Sequence, residues 1–155
     1  IELRAAVAER LEGREKLLSE LVERNAFEVP DSLVQAQIDS RLEGIVREMV
    51  AQGMDPTKAP VNWREEREKL APGAVKAVRA MLILESIAAQ EGIEATDQDL
   101  NEWLREDARR RGTSPAELKE QLAQNARLQG LRRQIVREKA LDFVLDGANI
   151  TREGK

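Results

Sequence analysis

The apolar residues of this chain recur three and four positions apart almost from end to end, and no stretch alternates apolar and polar residues long enough to build a strand. The chain is therefore read as all-α. Aromatic residues make up only 3% of the sequence against 41% hydrophobic residues in total, so the core must come from Leu, Ile, Val, Met and Ala packed between helices. A length of 155 residues suits one domain of ordinary size or an elongated helical piece of a larger protein.

Leu3, Val7, Leu11, Leu18, Leu21 and Val22 form one stripe of a first helix running to about Arg24, on the order of 35 Å at about 1.5 Å per residue. Such a helix favours an extended shape. Val29-Pro30-Asp31-Ser32 signals the next helix, with Pro30 at its first position because its missing N–H would be unpaired there. The stripe Leu33, Val34, Ile38, Leu42, Ile45, Val46, Met49 and Val50 follows, stopping at Gly53 as a left-handed cap. Pro56 and Pro60 mark the segment from Met54 to Val61 as a turn between antiparallel helices. Asn62 and Glu65 resemble a capping box that opens a third helix at Trp63.

Pro72-Gly73 is expected to kink or briefly break that helix, since proline removes a backbone donor and clashes with the preceding turn. The run from Ala74 to Ala89 carries only Lys76, Arg79 and Glu85 as charges and is apolar nearly all round, which makes it the expected central spine, ended by Gly92. Thr96-Asp97-Gln98-Asp99 opens a fourth helix that Gly112 stops. Ser114-Pro115-Ala116-Glu117 supplies a cap, a proline at the first position and a reciprocal Glu for a short helix carrying Leu118 and Leu122. Past Asn125, read as another cap, Leu128, Leu131, Ile135, Leu141, Val144 and Leu145 mark a last helix ending near Gly147.

The chain contains no histidine, cysteine or tyrosine. Imidazole and thiolate carry most general-base, nucleophilic and transition-metal chemistry near neutral pH, so a Ser-His-Asp triad, a Cys-His pair and a Cys/His zinc site are all excluded. Asp and Glu total 29, but most alternate with Lys or Arg along helices and read as solvated faces. Glu65, Glu66 and Glu68, and Glu9 with Glu12, are the acidic clusters to check as metal or acid/base sites, although a di-metal bundle normally adds histidines that are absent here. No nucleotide-binding glycine loop occurs. The expectation is no enzyme, no metal and no cofactor.

A net charge of −4 argues against a nucleic-acid partner, and the run Arg109, Arg110, Arg111 closes a helix where cations favour the dipole. No apolar stretch approaches the roughly 20 residues that span a bilayer, so no membrane partner is expected. The first residue is Ile1 instead of Met, and Glu2 to Glu23 reads as mid-protein helix, which suggests a fragment of a larger protein. The lack of cysteine fits a reducing cytoplasm.

What remains is binding through surfaces. Met49, Val50, Met54, Val61, Trp63, Trp103, Leu118 and Leu122 lie toward the ends of helical hairpins, where few helices can cover them. Uncovered apolar patches usually mark interaction sites, and methionine adapts to varied partners, so these eight are the candidate substrate-binding residues.

Asn25-Ala26-Phe27-Glu28-Val29-Pro30-Asp31-Ser32-Leu33-Val34, then Glu91-Gly92-Ile93-Glu94-Ala95-Thr96-Asp97, then Glu138-Lys139-Ala140-Leu141-Asp142-Phe143 in this order and spacing resemble the C-terminal domain of the trigger factor family of ribosome-associated bacterial chaperones. The resemblance covers essentially the whole chain. It implies an elongated helical body with two protruding arms, with arm 1 at about 31–70, a spine at about 74–91, arm 2 at about 96–127 and a closing helix at about 126–147. It also implies an ATP-independent holdase that shelters unfolded or nascent polypeptides against the inner apolar faces of the arms. In that family the ribosome-docking and FKBP-like prolyl-isomerase domains lie elsewhere in the chain, so ribosome contact and isomerase activity would belong to the parent protein. A SurA-like periplasmic chaperone core, of related architecture, and a structural helical module that links or dimerises other domains are the alternatives. Self-association through the apolar surfaces follows from either exposed arms or a dimerising module.

Overall fold

The computed structural model describes the backbone of residues 2–153 and the side chains of residues 9–147. Among these residues there are six helices and no strand: α1 (Glu2–Arg24), α2 (Asp31–Ala51), α3 (Trp63–Glu91), α4 (Asp97–Arg111), α5 (Pro115–Gln124) and α6 (Leu128–Glu153). The all-α reading is correct. The side chains of Leu3 and Val7, expected on the first stripe, lie outside the described residues.

Local chemistry sets most helix ends. Thr96 and Asp99 form a reciprocal capping box at the start of α4, and Ser114 and Glu117 form another at α5, with Pro115 in its first turn. Gly53, Gly92 and Gly112 all adopt positive φ, and at each the next N–H reaches back to a carbonyl of the last helical turn: Met54 to Met49, Ile93 to Ala88, and Thr113 to Ala108. At the start of α3 the Glu65 N–H donates to Asn62 Oδ1 over 3.3 Å.

Four expectations need correction. Pro30 is the N-cap of α2 and not its first helical residue; its carbonyl accepts from the N–H groups of Leu33 and Val34. Pro72 does not break α3, which continues from Trp63 to Glu91. Leu70 and Ala71 before the proline and Ala74, Val75 and Val78 after it pack on one cluster, so a break would unseat apolar side chains on one side or the other. The proline itself is exposed, and the Gly73 carbonyl accepts from the Arg41 guanidinium at 3.4 Å. Burial on both sides thus offsets a defect that costs about 3 kcal/mol in a free helix.

Gly147 does not end α6 either, which runs on to Glu153. Glycine stops a helix by turning left-handed, and inside a helix it costs only about 1 kcal/mol relative to alanine. Asn125, finally, closes α5 instead of opening α6: its Nδ2 donates to the Gln121 carbonyl at 2.8 Å. The next residue, Ala126, takes the left-handed position at φ 52°, and the Arg127 N–H returns to the Leu122 carbonyl. Helix α6 then begins at Leu128, two residues later than expected.

The chain divides into two compact units, Ser19–Ile83 and the pair Ile1–Leu18 with Leu84–Lys155. In the first, Val34 and Ile38 of α2 pack against Ala74 and Val78 of α3, with Leu42, Leu70 and Leu82 around them. Arg67 bonds to Gln35 and Asp39 across the same pair, and Arg79 holds the Phe27 carbonyl at 2.9 Å while lying over its ring. In the second unit, Leu100, Leu104 and Ala108 of α4 meet Leu118 of α5 and Leu131 and Ile135 of α6. A further cluster joins Leu84 and Ala88 to Ala140 and Leu141, with Leu17 and Leu18 against them. Each of these buried aliphatic side chains contributes about 1.5–3 kcal/mol through burial.

Candidate functional site

The turn joining α2 to α3 is held almost entirely by backbone. The N–H groups of Gly53 and Met54 return to the carbonyls of Val50 and Met49, each at 2.9 Å, fixing the left-handed exit from α2. Asp55 then accepts from the Thr57 N–H at 3.0 Å and the Thr57 hydroxyl at 2.7 Å, while its own carbonyl takes the N–H groups of Lys58 and Ala59. Those bonds from Thr57 hold the Asp55 carboxyl below the usual carboxylate range. The result is an ordered turn with no apolar core of its own.

Two of the candidate residues stand in solvent on this turn: Val50 is 58% exposed and Met54 45%. Val61 and Trp63 are half-buried nearby in sequence, and Met49, 8% exposed, is core. Adjacent helical residues point about 100° apart, which is why Met49 and Val50 have opposite fates. Charged pairs frame the turn, Arg47 with Glu43 and Lys58 with Asp55. Along α2 a shallow groove of about 590 Å³ is lined by Asp39, Leu42, Glu43, Val46 and Arg47.

The other three candidates belong to the α4–α5–α6 packing. Leu118, at 2% exposed, is part of the buried cluster and presents no surface, while Trp103 and Leu122 are half-buried against it. Beside Trp103 opens a groove of about 390 Å³ lined by Asp99, Glu102, Glu106 and Arg110 of α4 and Ile135 and Glu138 of α6. Asp99 lies at one end of it, held down to a pKa of about 2 first by the hydrogen bond from Lys139 at 2.7 Å and then by its capping bond to the Thr96 N–H. Apart from Trp103, these lining residues were not among the candidates. Positions 99, 102, 103, 106 and 110 share one helical face, a pattern visible in sequence, but its pairing with α6 is not.

Three other exposed apolar side chains also escaped the sequence reading: Leu11, Phe27 and Phe143. Leu11 lies on the apolar stripe of α1, so spacing alone pointed the wrong way for it.

The acidic clusters resolve into ion pairs. Lys69 bridges Glu65 and Glu66, and Arg64 pairs with Glu68. Among the described residues no group of three or more Asp, Glu, His or Cys could hold a metal ion, and no helix is long and apolar enough to cross a membrane. At the end of α4, Arg110 and Arg111 both reach Asp107, a largely buried carboxylate, and Arg109 pairs with Glu106. The arginine run is therefore engaged within its own helix.

A family model described as "Bacterial trigger factor protein (TF) C-terminus" matches residues 1–146. The chain is 37% identical over 134 residues to the trigger factor of Koribacter versatilis (strain Ellin345), an alignment covering 86% of this chain and 31% of that protein. It is 32% identical over 166 residues to the trigger factor of Thermobifida fusca (strain YX), covering 98% of this chain and 36% of that protein. The chain thus spans about a third of the length of the curated relatives it matches. A solved structure titled "Structures of and interactions between domains of trigger factor from Themotoga maritim" superposes with a TM-score of 0.64 at 24% identity, over 87% of this chain and 80% of that one. At that identity the likeness speaks for the fold alone.

Proposed function

Because the chain belongs to the trigger factor C-terminal family, we propose that it is an ATP-independent chaperone domain that holds unfolded or nascent polypeptide on exposed apolar surfaces of its helices. The observation that carries this reading is the pair Val50 and Met54, displayed in solvent on a turn fixed by backbone hydrogen bonds. An ordered turn that spends its hydrogen bonds on holding apolar side chains outward gains nothing for its own core, and small apolar patches with a charged rim suit weak, sequence-tolerant binding. Val61 and Trp63 extend this surface, with residues 31–70 as the first arm. Trp103 and Leu122 serve the second, at 96–127.

The reading needs no cofactor and places the work in the cytoplasm. Ribosome contact and prolyl isomerisation belong, on this reading, to parts of the relatives that this chain does not match. Membership of the trigger factor family weighs for this account over a SurA-like core. The test is suppression of aggregation of a chemically denatured protein diluted into an equimolar solution of these 155 residues. Protection without nucleotide is expected. A stable discrete oligomer that gives no protection would point instead to a linking or dimerising module, and prolyl isomerisation above the uncatalysed rate would contradict the absence of an enzymatic role.

A further inference from the structure

The groove between α4 and α6 differs in chemistry from the turn that displays Val50 and Met54. Trp103 and Ile135 supply its apolar lining, and Asp99, Glu102, Glu106 and Glu138 surround them with carboxylates against the single cation Arg110. Two of those carboxylates are already matched: Asp99 by Lys139 at 2.7 Å and Glu106 by Arg109 at 2.6 Å. The other two are not. Glu102 accepts from the neutral amide of Gln98 and Glu138 from that of Gln134, both at 3.0 Å, and among the described residues no Lys or Arg pairs with either.

We infer that this groove is a subsite for a lysine or arginine side chain within an unfolded polypeptide segment, an inference that rests on the chaperone reading above and names the class of segment preferred there. The long alkyl stem of such a side chain would lie on Trp103 and Ile135, while its head meets Glu102 and Glu138. An indole is the best aromatic face for a cation, and here it stands among carboxylates of the sign the cation needs. The volume of about 390 Å³ has room for one or two long side chains and not for a folded element. Phosphate-bearing partners would be repelled by the same charges.

The experiment uses two labelled apolar peptides, one carrying three lysines and the other with glutamine in their place. Their binding is measured by fluorescence anisotropy in low salt and in high salt. The lysine peptide should bind about fivefold more tightly in low salt, the sum expected of two exposed charge contacts. High salt should erase the difference. The double variant Glu102→Gln with Glu138→Gln should lose the preference while binding the glutamine peptide within about twofold of the parent, since only the exposed pairs are removed. With Trp63→Phe, Trp103 is the sole tryptophan, and its emission should shift on adding the lysine peptide. Equal binding of the two peptides by the parent protein, or a preference that survives the double variant or high salt, would overturn the subsite and leave the chaperone reading standing. Binding of neither peptide would overturn both.

Discussion

In the α2–α3 hairpin, two helices bury Val34, Ile38, Ala74 and Val78 where they face each other, yet toward the connecting turn Val50 and Met54 stay in solvent. Around α4 a third helix is available, and Leu100, Leu104, Ala108, Leu118, Leu131 and Ile135 close into one buried cluster. The two regions have similar aliphatic composition and similar helix signals. What differs is the number of neighbours. A helix pair can cover one stripe on each partner, so any apolar residue off that stripe is left outside; a third helix covers the flank as well. Exposure at the hairpin turn is thus a product of its architecture, and it is the feature on which binding is argued to depend.

The sharpest way to test that contrast is to shorten one side chain in each region. Leu104→Ala empties a site 1% exposed and should cost about 3 kcal/mol in urea unfolding, whereas Val50→Ala should stay within about 0.5 kcal/mol. Similar costs at both positions would erase the distinction. The helix ends offer a second contrast, because α5 begins with a side-chain capping box and α2 begins at Pro30 with no side-chain cap bond. Ser114→Ala should therefore destabilise by about 1 kcal/mol, measured in the same way.

Smaller effects probe the joints of the α4–α6 region. Ala126 occupies a left-handed position at φ 52° that glycine adopts without steric cost. Ala126→Gly should stabilise by about 0.5 kcal/mol once the greater freedom of the unfolded chain is deducted, read as a higher thermal midpoint. Asp99, lowered from 3.8 to about 2 chiefly by Lys139, binds its proton less readily folded than unfolded. Its stabilisation is complete above the unfolded value and is lost as pH falls from about 3.8 through about 2. Lys139→Ala should raise the Asp99 midpoint in a carboxyl NMR titration and remove under about 1 kcal/mol at neutral pH, because the pair is partly exposed and screened.

The parts of this fold legible in the sequence were those decided within a few residues. Thr96, Ser114, Gly53, Gly92 and Gly112 end or begin helices through bonds that reach at most five positions along the chain, and each was read correctly. Pro72 was misread because its effect is settled by Val34 and Ile38, some forty residues earlier, whose packing holds α3 together on both sides of the proline. Ala126 was invisible for a related reason: it fills a glycine's place without being a glycine. The binding surface divides along the same line. Val50 and Met54 follow from a hairpin end that few helices can cover, but the burial of Leu118 depends on α4 and α6 arriving beside it. The groove residues Glu102, Ile135 and Glu138 likewise come together only once α4 and α6 are paired.

The central claim is that the uncovered residues of the hairpin turn bind unfolded chain and do little for stability. The direct measurement is aggregation suppression by the double variant Val50→Ser with Met54→Ser, beside its urea unfolding curve. The account predicts an unfolding free energy within about 0.5 kcal/mol of the parent and a clear loss of protection at equimolar ratio. Full protection by an equally stable variant would contradict it.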